Sequence, residues 1–327
     1  MAESFRGFLR AALAVVLAAA FVPGAALAQG YPSKVVRIVV AFPTGGPTDP
    51  PARWVAQKLS ENFGQPVIVD FRGGASGNIG TDYVAKSAPD GYTLLFITSS
   101  FILSSVTSAN LPFDPIKDFT PITPVTSGPT LMVVNAGLGV TNVKEFIALA
   151  KKNPGKLAFG SSGQGGPLHL YMELFKTMSG VDMLHVPYKG AGPAVADLVA
   201  GRVDAMFVAM PAVVPQMKAG KVVAIGVSSL ERAQVLPDLP SIHEQGLSGF
   251  DGGSRYGILA PARTPAEAVN RIHAGLVKVL FTPETKKALG DLGLEPVSSS
   301  PAEYAAWIKS QIERWMQVAK AAGIKPE

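Results

Sequence analysis

The sequence predicts an α/β protein in two lobes, and three observations predict it. The chain has 327 residues and is 47% hydrophobic, enough to bury a large core, and chains of this size usually divide into two domains. Short apolar runs alternate with amphipathic ones in a β–loop–α rhythm, the pattern of an open, mostly parallel sheet with helices on both faces. That rhythm breaks over 99–127, restarts, and ends in three helices with no strands between them. These last helices are expected to pack back on the first unit. Residues 29–127 and 254–327 then form one discontinuous domain and 128–253 the other, with crossings near 126–130 and 250–255.

Residues 1–28 read as an export signal. Arg6 and Arg10 make a positive start, 11–21 is an unbroken apolar run, and Ala26-Leu27-Ala28 supplies the cleavage site. The run has 11 residues, whereas a bilayer span takes about 20, so cleavage is expected rather than anchoring. There is no cysteine, which excludes disulfides, thiolate metal sites and a lipid-modified cysteine behind the signal. An exported, untethered protein that handles small molecules must be retained by an outer envelope, so the periplasm is the expected location. The net charge of +5 is mild and the basic residues are scattered, so nucleic acid is not an expected partner. With 34 Gly and 27 Pro beside that apolar content, the chain suggests short elements joined by tight turns rather than disorder.

Each element follows in order. Residues 35–42 are β-branched and nearly continuous, as in a strand covered on both faces. They run into 43–51, where Asp49 is placed to cap the next helix and proline suits a first helical position that needs no N–H. Trp54, Val55, Leu59 and Phe63 at helical spacing give a helix over 50–63 that ends at Gly64. A strand at 67–69, a glycine-rich loop at 73–78, a helix ending near Ser87, a turn at Asp90-Gly91 and a strand over 93–98 complete the first unit. In the second unit, strands at 131–134, 156–160, 183–186, 204–208 and 222–227 alternate with helices at 143–150, 168–178, 193–199 and 213–218. A strand near 256–259 leads to helices at 266–280, 284–292 and 302–322. No repeat of fixed period is present.

In an open parallel sheet, ligands sit beyond the carboxyl ends of strands, where helices begin. Two loops have that make-up, 42–49 and 160–168. Amides at a helix start, with the positive end of its dipole, favour an anion, and glycine lets the backbone come close. Thr48, Ser161, Ser162 and Gln164 add neutral donors. The same composition also suits two ordinary tight turns. Enzyme motifs fail: no G-x-S-x-G is present, no phosphate-loop lysine follows a glycine in the right context, and the dinucleotide fingerprint breaks at Leu168. His169, His185, His243 and His273 lie far apart in sequence with no second histidine at i+4 and no cysteine, so neither a metal nor a cofactor is expected. His169 opens the helix after the second loop, where fixing the loop is its expected role.

A series of segments carries a resemblance. They include Phe42-Pro43-x-Gly45-Gly46-x-x-Asp49, Gly74-Ala75-x-Gly77-Asn78-Ile79-Gly80, Ala88-Pro89-Asp90-Gly91-Tyr92, His169-Leu170, His185-Val186-Pro187-Tyr188-Lys189-Gly190 and Gly201-x-Val203-Asp204. In this order and spacing, over about 31–318, the chain resembles the Bug-type periplasmic receptors of tripartite tricarboxylate transporters. The resemblance implies the type II periplasmic binding protein fold, with two Rossmann-like domains joined by two crossover strands. It implies a monomer that binds a small carboxylate between the lobes, with inner-membrane transporter subunits as partners. It places the ligand against Phe42, Gly45, Gly46, Pro47, Thr48 and Asp49 on one side. On the other it implies Ser161, Ser162, Gly163, Gln164 and His169 with Pro187, Tyr188 and Lys189. Thr98, Ser99 and Ser100 belong to the floor, and Asp204, Arg255 and Tyr256 complete the set. Several residues depart from the family pattern. Pro47 stands where a residue with an N–H is usual, Pro50-Pro51 stiffens the loop, and Arg255 precedes Tyr256 where a tryptophan is common. Arg255 either faces the cleft, favouring a second carboxylate, or points to solvent. The expected mechanism is hinge closure on the ligand. Two other readings stay open, a secreted hydrolase using Ser161 or Ser162 with His169 and a ligand-free interaction module.

Overall fold

The computed structural model describes residues 30–324 and 326 apart from Pro129, so the expected export signal at 1–28 lies outside the described residues. The chain forms two sheets. The first contains β1 (Val36–Val40), β2 (Val67–Phe71), β3 (Thr93–Ile97), β4 (Phe119–Gly128), β10 (Ser254–Pro261) and β11 (Glu295–Pro296), in the order β11-β4-β10-β3-β1-β2. The second contains β5 (Thr130–Asn135), β6 (Ala158–Ser161), β7 (Leu184–Pro187), β8 (Ala205–Ala209) and β9 (Val222–Val227), in the order β7-β6-β8-β5-β9. β1 is parallel to β2 and β3, and β6 to β7 and β8. β10 and β5 are antiparallel to both of their neighbours, so each sheet is mixed rather than mostly parallel. Both strands enter their sheet from the side facing the other lobe, so they run against strands that end there.

The helices are α1 (Asp49–Phe63), α2 (Asn78–Ala85), α3 (Ser99–Thr107), α4 (Val143–Lys152), α5 (Pro167–Ser179), α6 (Ala191–Val199), α7 (Val214–Lys218), α8 (Ala266–Leu280), α9 (Pro283–Asp291) and α10 (Pro301–Ala321). α1 stops at Gly64, whose φ of 64° lets its N–H reach back to the Ser60 carbonyl. α10 starts with a capping box in which Ser300 and Glu303 satisfy each other's backbone amides. Val36, Ile38 and Val40 of β1 pack with Val55 and Leu59 of α1 and Ile272 and Leu276 of α8. Val39, on the opposite face, joins a core that is continuous from lobe to lobe, through Phe101 of α3, Met132 of β5, Phe175 of α5 and Trp315 of α10.

The segment 99–127 holds two elements that composition conceals. α3 is rich in serine, a poor helix former, but Thr98 caps it by accepting from the Ser100 N–H, and the Ser105 and Thr107 hydroxyls bond carbonyls one turn back. β4 contains Pro121 and Pro124, which cannot donate to a ladder. Its register with β10 shifts beside each of them, between Tyr256 and Gly257 and between Ile258 and Leu259. Bulges thus absorb two prolines in an interior strand.

The chain passes from β4 to β5 over 128–130 and returns over 252–254. Ser254 is the register partner of Gly128. The Ser228 N–H donates to the Thr130 carbonyl and the Gly252 N–H to the Ser228 carbonyl, each at 2.8 Å. The two passages therefore support each other. Behind them α10 reaches across to the second sheet: Trp315 lies 5.4 Å from the Tyr171 ring, and Arg314 donates to the Gly249 carbonyl at 2.9 Å.

Candidate ligand-binding site

A groove of about 530 Å³ lies between the lobes, bounded by Ser100, Leu103, Ser104, Thr107 and Ser108 on one side and by Gln164, Gly165, Gly166 and Pro167 on the other. Gly323 and Ile324 form a third wall. Every polar side chain in this lining is neutral. The start of α5 belongs to the lining, with Gly166 as a cap that carries no side-chain bond and Pro167 in the first turn. Pro167 has no N–H and the His169 N–H is turned to the Gly166 carbonyl, so the Leu168 N–H, with the positive end of the helix dipole, is what this start offers an anion.

The groove brings together Ser100 and Gln164 of the expected site residues, one from each lobe. Phe42 and Thr98 line a narrow cleft beside Phe101 and Ser104. Ser104 is therefore shared between this cleft and the groove. Ser99 sits at the start of α3 and its hydroxyl lies 3.3 Å from that of Ser254 at the return passage.

In the loop 42–49, Pro43, Thr44, Gly45 and Pro47 are exposed. Asp49 does not cap α1 as expected; it is the first helical residue, and Thr48 at the cap makes no side-chain cap bond. The Asp49 carboxylate instead accepts the Gly45 N–H at 2.8 Å and pairs with Arg53. The Gly45 bond, ahead of Arg53, holds its carboxyl below the usual range. A carboxylate of the protein thus already occupies the anion-favouring start of α1. The Asp49 N–H donates to Gly46, and Pro47 has no N–H to offer. The Thr48 hydroxyl is buried without a hydrogen-bond partner among the described residues.

The second loop is built differently. Ser161 is fully buried, and its Oγ lies 2.6 Å from His185 Nε2 and accepts the Gly163 N–H at 3.2 Å. The Gly165 N–H donates to His169 Nδ1 at 3.0 Å. Ser162 and Gly163 are half-buried, and Gln164 is exposed toward the groove. The close Ser161–His185 pair does not make a nucleophile, because the serine is inaccessible and the neighbouring acid, Glu173, faces His169 instead.

Other expected residues fall elsewhere. Pro187 and Lys189 are exposed, and the Tyr188 hydroxyl turns away to Asp197 at 2.8 Å. Asp204 accepts the Ala158 N–H at 2.7 Å, so it closes the start of β6, the end opposite Ser161. Arg255 lies over the Trp307 ring at 4.7 Å and lines a separate cavity of about 280 Å³ with Ser127, Asp251 and Glu295. Tyr256 packs against Phe96. Ser104, Thr107 and Ser108, not among the expected residues, line the same groove, and His185 lies behind the loop on Ser161. The hydroxyls at 100, 104, 107 and 108 recur at helical spacing, a signal that becomes readable only once α3 is recognised.

Two lobes, two connecting passages and a neutral groove between α3 of one lobe and the start of α5 of the other define a solute-binding receptor rather than an enzyme. Residues 51–324 match the model of the tripartite tricarboxylate transporter family receptor, and the chain belongs to that family. It is 34% identical over 319 residues to BugT of Bordetella pertussis, covering 97% of this chain and 98% of that one. Among solved structures, a periplasmic transporter is 41% identical with a TM-score of 0.72, covering 90% of this chain and 99% of its own. R. palustris Rpa4515 with adipate is 38% identical with a TM-score of 0.73, covering 91% and 100%. MatC from Rhodopseudomonas palustris with bound malate is 32% identical with a TM-score of 0.68, covering 88% and 99%.

Proposed function

We propose that the chain is a periplasmic receptor that takes a small dicarboxylate into the groove between α3 and α5 and delivers it to the membrane subunits of a tripartite tricarboxylate transporter. One observation carries the reading: the groove offers hydroxyls, Gln164 and the start of α5, but no charged side chain. Neutral donors can hold a carboxylate when each lone pair finds a partner, with ordered water filling the gaps. The relatives with adipate and malate support a dicarboxylate as the class. Ser100, Ser104 and Gln164, which line the groove, are the residues assigned to ligand contact, with Ser162 next to them in the loop and Phe42 and Thr98 beside them. A ligand touching both walls stabilises the closed arrangement of the lobes, and that arrangement is the one offered to the membrane partner.

Calorimetric titration of the mature protein with succinate, malate and adipate, beside butyrate and the neutral diamide of adipate, tests the reading. A diacid is expected to bind more tightly than butyrate, and the diamide to bind weakly. Equal binding of diacid and diamide would remove the carboxylate site. The intact mass of protein taken from the periplasm is expected to lack residues 1–28.

A further inference from the structure

Two imidazoles, His169 buried and His185 half-buried, underlie the second glycine-rich loop. The rings of His169 and His185 stack 3.8 Å apart at an interplanar angle of 8°. Phe159 covers His185 at 4.7 Å. His169 is 3% exposed. The charged groups facing the pair are Glu173, whose Oε1 lies 3.7 Å from His169 Nε2, and Lys176, which pairs with Glu173 at 2.9 Å. Each ring holds a different point of the loop, His185 through the Ser161 hydroxyl and His169 through the Gly165 N–H.

The proton count fixes the roles. An N–H can donate to Nδ1 only if that nitrogen keeps its lone pair, so the ring proton of His169 sits on Nε2, toward Glu173. Ser161 has one proton and accepts the Gly163 N–H. Its remaining capacity goes to His185 Nε2 and to the Gly163 carbonyl at 3.1 Å. Its hydroxyl is therefore committed within the protein. The Ser162 and Gln164 amides have no intramolecular partner among the described residues, so the loop alternates anchored and available groups.

We propose that His169 and His185 are positioning residues: the stacked pair sets the geometry in which Ser162, Gln164 and their amides meet the ligand, without either ring touching it. Ser161 belongs to this device and not to the ligand contacts. The inference rests on the groove being the ligand site.

Isosteric replacement tests it. Asn places an acceptor where Nδ1 was, and Gln places a polar atom where Nε2 was. His169→Asn should keep the Gly165 bond and His169→Gln should lose it. At the other ring the order reverses, so His185→Gln should keep the Ser161 contact and His185→Asn should lose it. Hydrogen exchange of the Gly163 and Gly165 amides is read in the ligand-free protein, and adipate affinity by calorimetry. Loss of one such bond is expected to speed exchange of the affected amide and weaken adipate about tenfold, with the matched isostere close to the parent. A packing role alone would give Asn and Gln equal effects at each site and would tolerate Phe at both; that pattern overturns the inference. Ser161→Ala, which hardly changes volume, gives the same reading of Gly163 exchange if a histidine variant fails to fold. If the parent protein does not bind adipate, the groove assignment fails, while the exchange pattern still decides whether the imidazoles hold the loop.

Discussion

The two glycine-rich loops follow the same plan, a strand end feeding a helix, yet they reach order by opposite means. The loop at 42–49 and the two residues after it contain Pro43, Pro47, Pro50 and Pro51, which restrict the chain covalently and remove four N–H groups. Its one side-chain tie comes from Asp49. The loop at 161–166 keeps its amides and fixes alternate ones to a buried serine and a buried histidine. The lesson is that a helix start read from sequence is not yet an anion site. In the first loop the protein's own carboxylate occupies it, and in the second the amides between the anchors remain open.

The largest test of this contrast is glycine replacement. Gly163 has φ of 142° and Gly45 of 79°, with open space around Gly45. Gly163→Ala is expected to cost about 2 kcal/mol of stability and most of the diacid binding. Gly45→Ala should cost about 1 kcal/mol and leave binding largely intact. Melting curves with and without adipate measure both. Equal loss of binding in the two variants would erase the distinction between the loops.

A second test is acid. Burial, and then the neighbouring His169, push His185 from 6.5 down to about 4. In that interval the unfolded chain takes up a proton that the folded chain refuses. The stability linked to this ring is therefore complete above pH 6.5 and declines as the pH falls toward about 4. Denaturant titrations across this window should show that slope, and His185→Gln should flatten it. An unchanged slope would mean the ring is not held neutral.

Smaller effects sharpen the contrast further. Asp49→Asn removes the negative charge from the start of α1 and should strengthen diacid binding about threefold at low salt. Weaker binding would make Asp49 part of the ligand contacts after all. Arg255→Ala should change diacid and monoacid affinity by less than about twofold, since the guanidinium lies on Trp307. A selective loss of diacid binding would return Arg255 to the cleft.

Much of the fold was legible because β1, β3 and β5 are apolar runs bounded by turn residues, and because helices such as α1 and α8 keep a clean apolar stripe. α3 and β4 were not legible. Serine and proline argue locally against helix and strand, and only tertiary features overrode them, the Thr98 cap and two register shifts. At the proposed site, Ser100 and Gln164 were legible as loop residues because strand ends and glycines mark loops. His185 was not, since its partner Ser161 lies 24 positions away and the two strands become neighbours only in the sheet. Asp49 was visible as a residue, but whether its carboxylate caps the helix or folds back on Gly45 depends on a loop shape that spacing does not encode.

The reach of α10 across both lobes also gives the protein a built-in optical gauge. Trp315 rests on Tyr171 of the opposite lobe, and Trp307 carries Arg255 beside the passages. Any change in the angle between the lobes must alter the surroundings of one indole or the other. With Trp54 remote in α1 as the only other tryptophan, the emission spectrum of the unlabelled chain should register each capture and release.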